Sequence, residues 1–269
     1  MNIMNNMNNI SDIKHAFYIN LASRPDRKQH VEEQLKIIGI NANRFNAVKL
    51  PNGALGCSLS HLKCLETAKA NNWSHLLVVE DDIKFLDPEL FKSQLNKFFT
   101  NHTGWDVVLI GGNNVPPYQK IDDTCVKVSS CQTTTGYLVN GHYFDTLIEN
   151  FRTGIKNLME NPQSQVLYAI DKYWFNLQKI HNWFLIIPLT VTQREDYSDI
   201  EKRATNYTHV MTDLDKEWFF KPSKTQIPSN LISSSNKMAQ LSITCEPIKN
   251  TVKMNAETNK PSRKINMKI

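Results

Sequence analysis

Three consecutive carboxylates, Glu80, Asp81 and Asp82, follow the apolar run His75 to Val79 (HLLVV). Like charges crowded at the mouth of a low-dielectric core repel one another, and a divalent cation with hard oxygen ligands relieves that repulsion. Mn2+ or Mg2+ bridging a diphosphate meets the demand, because the substrate supplies the remaining coordination positions. In extended backbone Glu80 and Asp82 share one side and Asp81 faces the other, so at most two of the three serve one ion. The competing reading is a solvated acidic turn with a helix cap; the position directly behind a buried strand weighs against it. A second polar group, Asn20 to Lys28 (NLASRPDRK), also closes an apolar run. It offers helix N-terminal amides together with Arg24, Arg27 and Lys28 to phosphates or a nucleobase. A third, Gly56 to His61 (GCSLSH), brings Ser58 and Ser60 as caps or ligand contacts, with His61 turned to the sheet as a satisfied core residue.

The elements that must hold these groups alternate. His15 to Leu21 reads as a strand, Pro25 as a first helical position, and Val31, Leu35 and Ile38 as the inner face of a helix stopped by Gly39. Arg44 to Val48 gives a second strand, and Pro51-Asn-Gly precedes a helix over Leu55 to Ala70. After the strand His75 to Val79, Asp87-Pro88 opens a helix that buries Leu90, Phe91, Leu95 and Phe98. Trp105 to Ile110 is the fourth strand, closed by Gly111-Gly112. Four alternations imply an α/β domain with a mixed, mainly parallel sheet and helices on both faces. Ligands in such sheets bind beyond the carboxyl ends of the strands, where the acidic triplet stands. Farther on, Thr135 to Val139 reads as a strand, Phe144 to Phe151 and Ser164 to Lys179 as helices, and Trp183 to Ile187 as a last buried strand. No G-x-G-x-x-G and no G-x-x-x-x-G-K-[ST] follows the first strand, which disfavours a dinucleotide dehydrogenase or a P-loop enzyme.

The 269-residue chain carries a formal charge of +5, but residues 222–269 alone hold seven Lys and one Arg against two Glu, leaving −1 for residues 1–221. All 25 Phe, Trp and Tyr lie at or before Phe220. The expected organisation is therefore a disordered segment 1–12, a folded domain 13–221 and a basic, largely flexible tail 222–269. With the charge confined to a tail that lacks interleaved aromatics, nucleic acid is not an expected partner. No run approaches the ~20 apolar residues of a membrane helix, and no charged-then-apolar leader opens the chain. The expectation is a soluble, intracellular protein with reduced thiols, since the five cysteines form no C-x-x-C pair. The sequons at Asn101 and Asn206 accordingly carry little weight.

Taken together, YINLASRPDRKQHVEEQL (Tyr18 to Leu35), GALGCSLSHLKCLE (Gly53 to Glu66) and LLVVEDDI (Leu76 to Ile83) resemble, in order and spacing, glycosyltransferase family 25. TTTGYLVN (Thr133 to Asn140), AIDKYW (Ala169 to Trp174) and PLTVTQREDYSDIEK (Pro188 to Lys202) extend the resemblance over residues 15–203. The look is closest to the procollagen-type members and those encoded by large DNA viruses, for which host cytoplasm is the expected location. The resemblance implies a GT-A-like, Rossmann-like domain and transfer of galactose or glucose from a UDP-sugar to an acceptor hydroxyl. The expected acceptor is hydroxylysine or galactosyl-hydroxylysine of a collagen-like protein, with a glycan or lipid-linked acceptor, or a degenerate UDP-sugar-binding module, as alternatives. Glu80-Asp81-Asp82 stands where the family carries a D-x-D-like motif, here E-D-D; Asp82 is the first choice of metal ligand and Glu80 the second. Asn20, Leu21, Arg24, Arg27, Ser60, Glu80, Asp81, Thr135 and Gln193 are the expected donor contacts. The β-linked products of the family imply inversion and a general base, for which Asp171 leads, beside Tyr173 and Trp174 as sugar-stacking rings, with Glu195 and Asp196 competing.

Overall fold

The computed structural model describes residues 7–198 and 200–220. The described elements are β1 (Ala16–Asn20), α1 (Pro25–Ile38), β2 (Asn43–Asn46), α2 (Gly53–Ala70), β3 (His75–Glu80), β4 (Ile83–Phe85), α3 (Pro88–Asn101), β5 (Val107–Asn114), β6 (Gln119–Lys120), β7 (Cys125–Lys127) and β8 (Cys131–Asn140). They continue with α4 (Phe144–Glu160), α5 (Gln165–Tyr168), α6 (Ile170–Tyr173), α7 (Phe175–Gln178), β9 (Trp183–Ile186), β10 (Val191–Gln193), β11 (Asp196–Ser198), β12 (Arg203–Thr205), α8 (Thr208–Thr212) and α9 (Glu217–Phe220).

Eight strands form one sheet in the order β2-β1-β3-β8-β5-β9-β7-β6. Strands β2, β1, β3, β5 and β9 run one way and β8 runs against them between β3 and β5, so the sheet is mixed and mainly parallel in direction, as expected. Each central strand is apolar on both sides. Leu76 and Val78 of β3, Val107 and Leu109 of β5, and Tyr137 and Val139 of β8 meet α2 and α4 on one face. Leu77 and Val79, Val108 and Ile110, and Leu138 meet α1 and α3 on the other. A sheet sandwiched between helix layers needs apolar side chains at every position, which is why these strands show no alternation.

Local signals set the helix ends. Pro25 occupies the first turn of α1, and Gly39 ends it at φ 77°, a left-handed conformation that costs glycine nothing. Asp87 caps α3 by accepting the N–H of Leu90 at 3.0 Å. Three expectations need correction. The strand β5 does not stop at Gly111-Gly112 but passes through them to Asn114, because β8 approaches so closely that a Cβ on Gly112 would lie 2.5 Å from Cys131 Sγ. The segment Ser164 to Lys179 is three short helices rather than one: Ala169 turns to ψ 143°, letting Ile170 and Trp174 sink into the core. Residues 7–12, expected to be disordered, are folded: Met7 is buried and the N–H of Ile10 donates to Asn96 Oδ1. The tail 222–269 lies outside the described residues.

Candidate active site

Because β8 runs against its neighbours, its first residues reach the same sheet edge as the last residues of β1, β3 and β5; Gly136 stands beside both Val79 and Gly111. The short pair β4-β10 then sets Gln193 opposite Ile83, and the N–H of Arg194 donates to the Asp82 carbonyl at 2.8 Å. A cavity of about 760 Å³ opens at this edge. Its walls include Arg24 and Arg27, Glu80, Asp81 and Asp82, Thr133 and Thr134, Asp171, and Gln193.

The three acidic residues sit in different surroundings. Glu80 is saturated: Oε1 accepts from Thr134 Oγ1 at 2.7 Å, from His61 Nε2 at 3.3 Å and from Cys57 Sγ at 3.6 Å, and Oε2 accepts from Gln193 Nε2 at 3.1 Å. Burial works against its charge, but the bonds from His61, Thr134 and Cys57 outweigh it and hold the carboxyl below its ordinary value. Asp81 accepts from Asn20 Nδ2 at 2.7 Å and from Arg27 Nη1 at 3.0 Å; burial raises its pKa against the pull of Arg27. Asp82 meets Arg27 Nη1 at 3.3 Å through Oδ2, while its Oδ1 is buried with no hydrogen-bond partner among the described residues. Burial first, and then the charge of Glu80, push its pKa up to about 8.

A buried carboxylate oxygen without a donor, beside the negative charge of Glu80, is one that a hard divalent cation completes. Asp82 therefore fits such an ion, whereas Glu80 has both oxygens already taken. Cys57, His61 and Glu80 do converge within 4.8 Å, but the same atoms are engaged in the network just described. His61, fully buried, links Glu80 to Tyr137 Oη at 2.8 Å.

Also on the cavity wall, Asp171 Oδ2 accepts the N–H of Thr133 at 3.1 Å, and burial raises its pKa against the neighbouring Lys172. Thr133 is held at φ 73°, a left-handed conformation that costs a β-branched residue on the order of 1–3 kcal/mol. Strain of this kind concentrates where a side chain must be aimed, and here it is fixed by Asp171.

The other expected contacts are divided between the cavity and the interior. Asn20 is buried and committed to Asp81, to the Arg24 carbonyl and to Arg44. Ser60 spans Val48 N and Gly56 O inside the fold, although it borders the cavity. Thr135 is fully buried and bonds to Thr133. Leu21 does line the cavity. Glu195 is exposed and accepts from Asn206, outside the cavity lining. Asp196 binds Arg24 at 2.6 Å and Arg27 at 3.0 Å; burial opposes its charge, but its bond from the Tyr197 N–H and the arginines prevail and lower its pKa, the wrong direction for a base. Trp174 fills core instead of stacking on a sugar: it is fully buried, with Nε1 donating to the Cys131 carbonyl. Sequence reasoning passed over Asn113, whose Oδ1 is buried, unpartnered among the described residues, and on a cavity-lining residue. The signal was present in Gly111-Gly112-Asn113-Asn114, a polar ending on an apolar strand.

The sequence profile of glycosyltransferase family 25 (LPS biosynthesis protein) matches residues 49–174. That span takes in the blocks around Ser58, Glu80 and Asp171. A glycosyltransferase 25 family member of Aedes aegypti is 26% identical over 277 residues, covering 83% of this chain and 44% of the relative. A probable inactive glycosyltransferase 25 family member 3 of Rattus norvegicus is 23% identical over 191 residues, covering 59% of this chain and 32% of the relative. The procollagen lysyl hydroxylase and glycosyltransferase of Acanthamoeba polyphaga mimivirus is 25% identical over 218 residues, covering 62% and 24%. The chain thus spans less than half the length of these relatives. Among solved structures, the mannose-1-phosphate geranyltransferase of Thermus thermophilus aligns with 64% of this chain and 73% of its own, at 10% identity and a TM-score of 0.40. No helix among the described residues is long and apolar enough to cross a membrane.

Proposed function

We propose that this chain, which carries glycosyltransferase family 25 sequence over residues 49–174, transfers galactose or glucose from a UDP-sugar to an acceptor hydroxyl with the help of Mn2+ or Mg2+. The observation that carries the reading is the unpartnered, buried Oδ1 of Asp82 on a cavity that is also lined by a second carboxylate with a raised pKa, Asp171. Asp82 would hold the cation, which when bound would neutralise the negative charge that grows on the departing diphosphate. Arg24 and Arg27, fixed by Asp196, stand at the cavity wall as further partners for phosphate oxygens. Glu80 holds Gln193, Thr134 and His61 in place around the ion site. Asp171 takes the proton of the acceptor hydroxyl; burial keeps its affinity for that proton above that of an ordinary carboxylate, which suits the task near neutral pH.

The acceptor we favour is hydroxylysine or galactosyl-hydroxylysine of a collagen-like protein, supported by the mimiviral relative named as a procollagen lysyl hydroxylase and glycosyltransferase. The second reading is a UDP-sugar-binding module without turnover, since the rat relative carries the name inactive. The combination of an unpartnered Asp82 oxygen and an aimed Asp171 favours the enzyme. UDP release from a panel of UDP-sugars, with and without Mn2+ and a collagen-like peptide, separates these readings. Metal-dependent release accelerated by the peptide is expected; UDP-sugar binding without any release would establish the inert module.

A further inference from the structure

A second cluster of ligand-type side chains lies away from this cavity, where α3 ends against β7. None of its members, His102, Asp122 and Cys125, lines the cavity above. His102 ends α3 with its N–H on the Phe98 carbonyl, and its ring packs beside Phe98 and Phe184 at centroid distances of 4.9 and 6.1 Å. Asp122 cannot turn, because Oδ1 accepts from Thr124 N at 2.7 Å, Thr124 Oγ1 at 2.6 Å and Cys125 N at 3.2 Å. Its other oxygen, Oδ2, is thereby aimed at His102 Nε2, 2.7 Å away. Cys125, fully buried in its strand, points Sγ at the same Nε2 from 3.8 Å.

One ring nitrogen cannot serve both neighbours. With a proton, Nε2 donates to Asp122 and faces the thiol with no lone pair; without it, Nε2 leaves an ionised carboxylate with no donor from the ring. A cation in place of that proton satisfies all three, and the N, O and S atoms already lie within 4.8 Å of one another. Around zinc, with Zn–N about 2.0 Å and Zn–S about 2.3 Å, a tetrahedral N···S edge is about 3.6 Å, near the observed separation. The corresponding N···O edge is about 3.3 Å, so the ring and carboxylate need to part by only about half an ångström. Thiolate and carboxylate balance the charge of a divalent ion, and the neutral imidazole adds none. The side chains of Asp122 and His102 are 33% and 19% exposed, which leaves water a path to the fourth position.

We propose that His102, Asp122 and Cys125 form a zinc site that ties the end of α3 to β7. The sulfur ligand separates it in kind from the oxygen-rich corner at Asp82, since thiolate selects zinc-like ions over Mn2+ and Mg2+. Loading breaks the Cys125 S–H bond and forms a metal–sulfur bond, with that proton passing to solvent, while a proton resting on His102 Nε2 is exchanged through water for one on Nδ1, so that Nε2 binds the metal and the imidazole stays neutral. The cysteine supplies a spectroscopic handle. The full chain, stripped with a chelator and titrated with Co2+, is expected to develop a near-ultraviolet thiolate-to-cobalt band that saturates at one equivalent and bleaches when zinc is added. The band is expected to persist in Cys57→Ser and Asp82→Ala, to vanish in Cys125→Ser, and to weaken in His102→Gln. Absence of the band in the unmodified chain overturns the proposal, as does a band that survives Cys125→Ser or disappears in Cys57→Ser. Zinc is also expected to raise the melting temperature of the unmodified chain and of Asp82→Ala but not of Cys125→Ser; an equal rise in Cys125→Ser overturns the site as drawn.

Discussion

Glu80 closes β3 and Asp82 follows two residues on, both largely withdrawn from solvent, and their surroundings are opposite. Four protein donors fill the oxygens of Glu80, while one oxygen of Asp82 has no donor among the described residues. A carboxylate that the protein itself satisfies is scaffold, and removing it strands its donors. A carboxylate left short of donors is held ready for something that arrives from outside, and removing it relieves the resting fold. The largest expected effect follows from that contrast. Asp82→Ala is expected to lower metal-dependent UDP release on the order of a hundred- to a thousandfold, with melting temperature unchanged or raised. Turnover at the parental rate in that variant would remove the ion from Asp82.

Asp171→Asn tests the other raised carboxylate of the cavity. Transfer to the acceptor is expected to drop about a hundredfold while UDP binding, followed by calorimetry, stays as it was; a variant that loses UDP binding instead would make Asp171 a donor contact. Glu80→Ala is expected to act mainly on stability, costing about 3 kcal/mol in denaturant unfolding because His61, Thr134 and Gln193 lose their acceptor. Should Asp82→Ala prove the more destabilising of the two, the contrast between them is reversed. Titration tests the same carboxylate without a mutation. In the folded chain the Asp82 pKa is raised to about 8 from about 3.9 when unfolded, so the fold binds the extra proton between those values. Its contribution to stability is present below pH ~4 and is lost as pH rises towards ~8. Metal-free protein should therefore lose melting temperature across that window, and Asp82→Asn should flatten the slope; an unchanged slope would show that Asp82 ionises freely.

The contrast also marks what could be read from the sequence. The acidic triplet was legible because three carboxylates behind HLLVV have few structural reasons to be there. The division of labour within it was not, because the partners that saturate Glu80 lie 19, 23, 54 and 113 residues away. The same holds for the fold. Strand β1, helix α1 and its stop at Gly39 are local, so periodicity and end signals locate them. Residues 164–179 have the composition of one helix, and tertiary demands override it: burying Ile170 and Trp174 while Asp171 holds the Thr133 N–H requires the turn at Ala169. Strand β5 outran its glycines for a related reason, since the closeness of Cys131 becomes visible only once β8 is in place.

The position of β8 matters before the protein is finished. In the order β2-β1-β3-β8-β5-β9-β7-β6, the lane between β3 and β5 is filled by residues 131–140, and both sheet neighbours of β5, β8 and β9, come later in the chain than β5 itself. A ribosome that has delivered everything through Asn114 has released a strand with two open edges and left one edge of β3 bare. Those N–H and C=O rows are templates for pairing with other nascent chains. The interval in which residues 115–186 emerge is thus the one in which crowding or slow translation diverts this protein towards aggregation, and in which a chaperone that shields strand edges improves its yield.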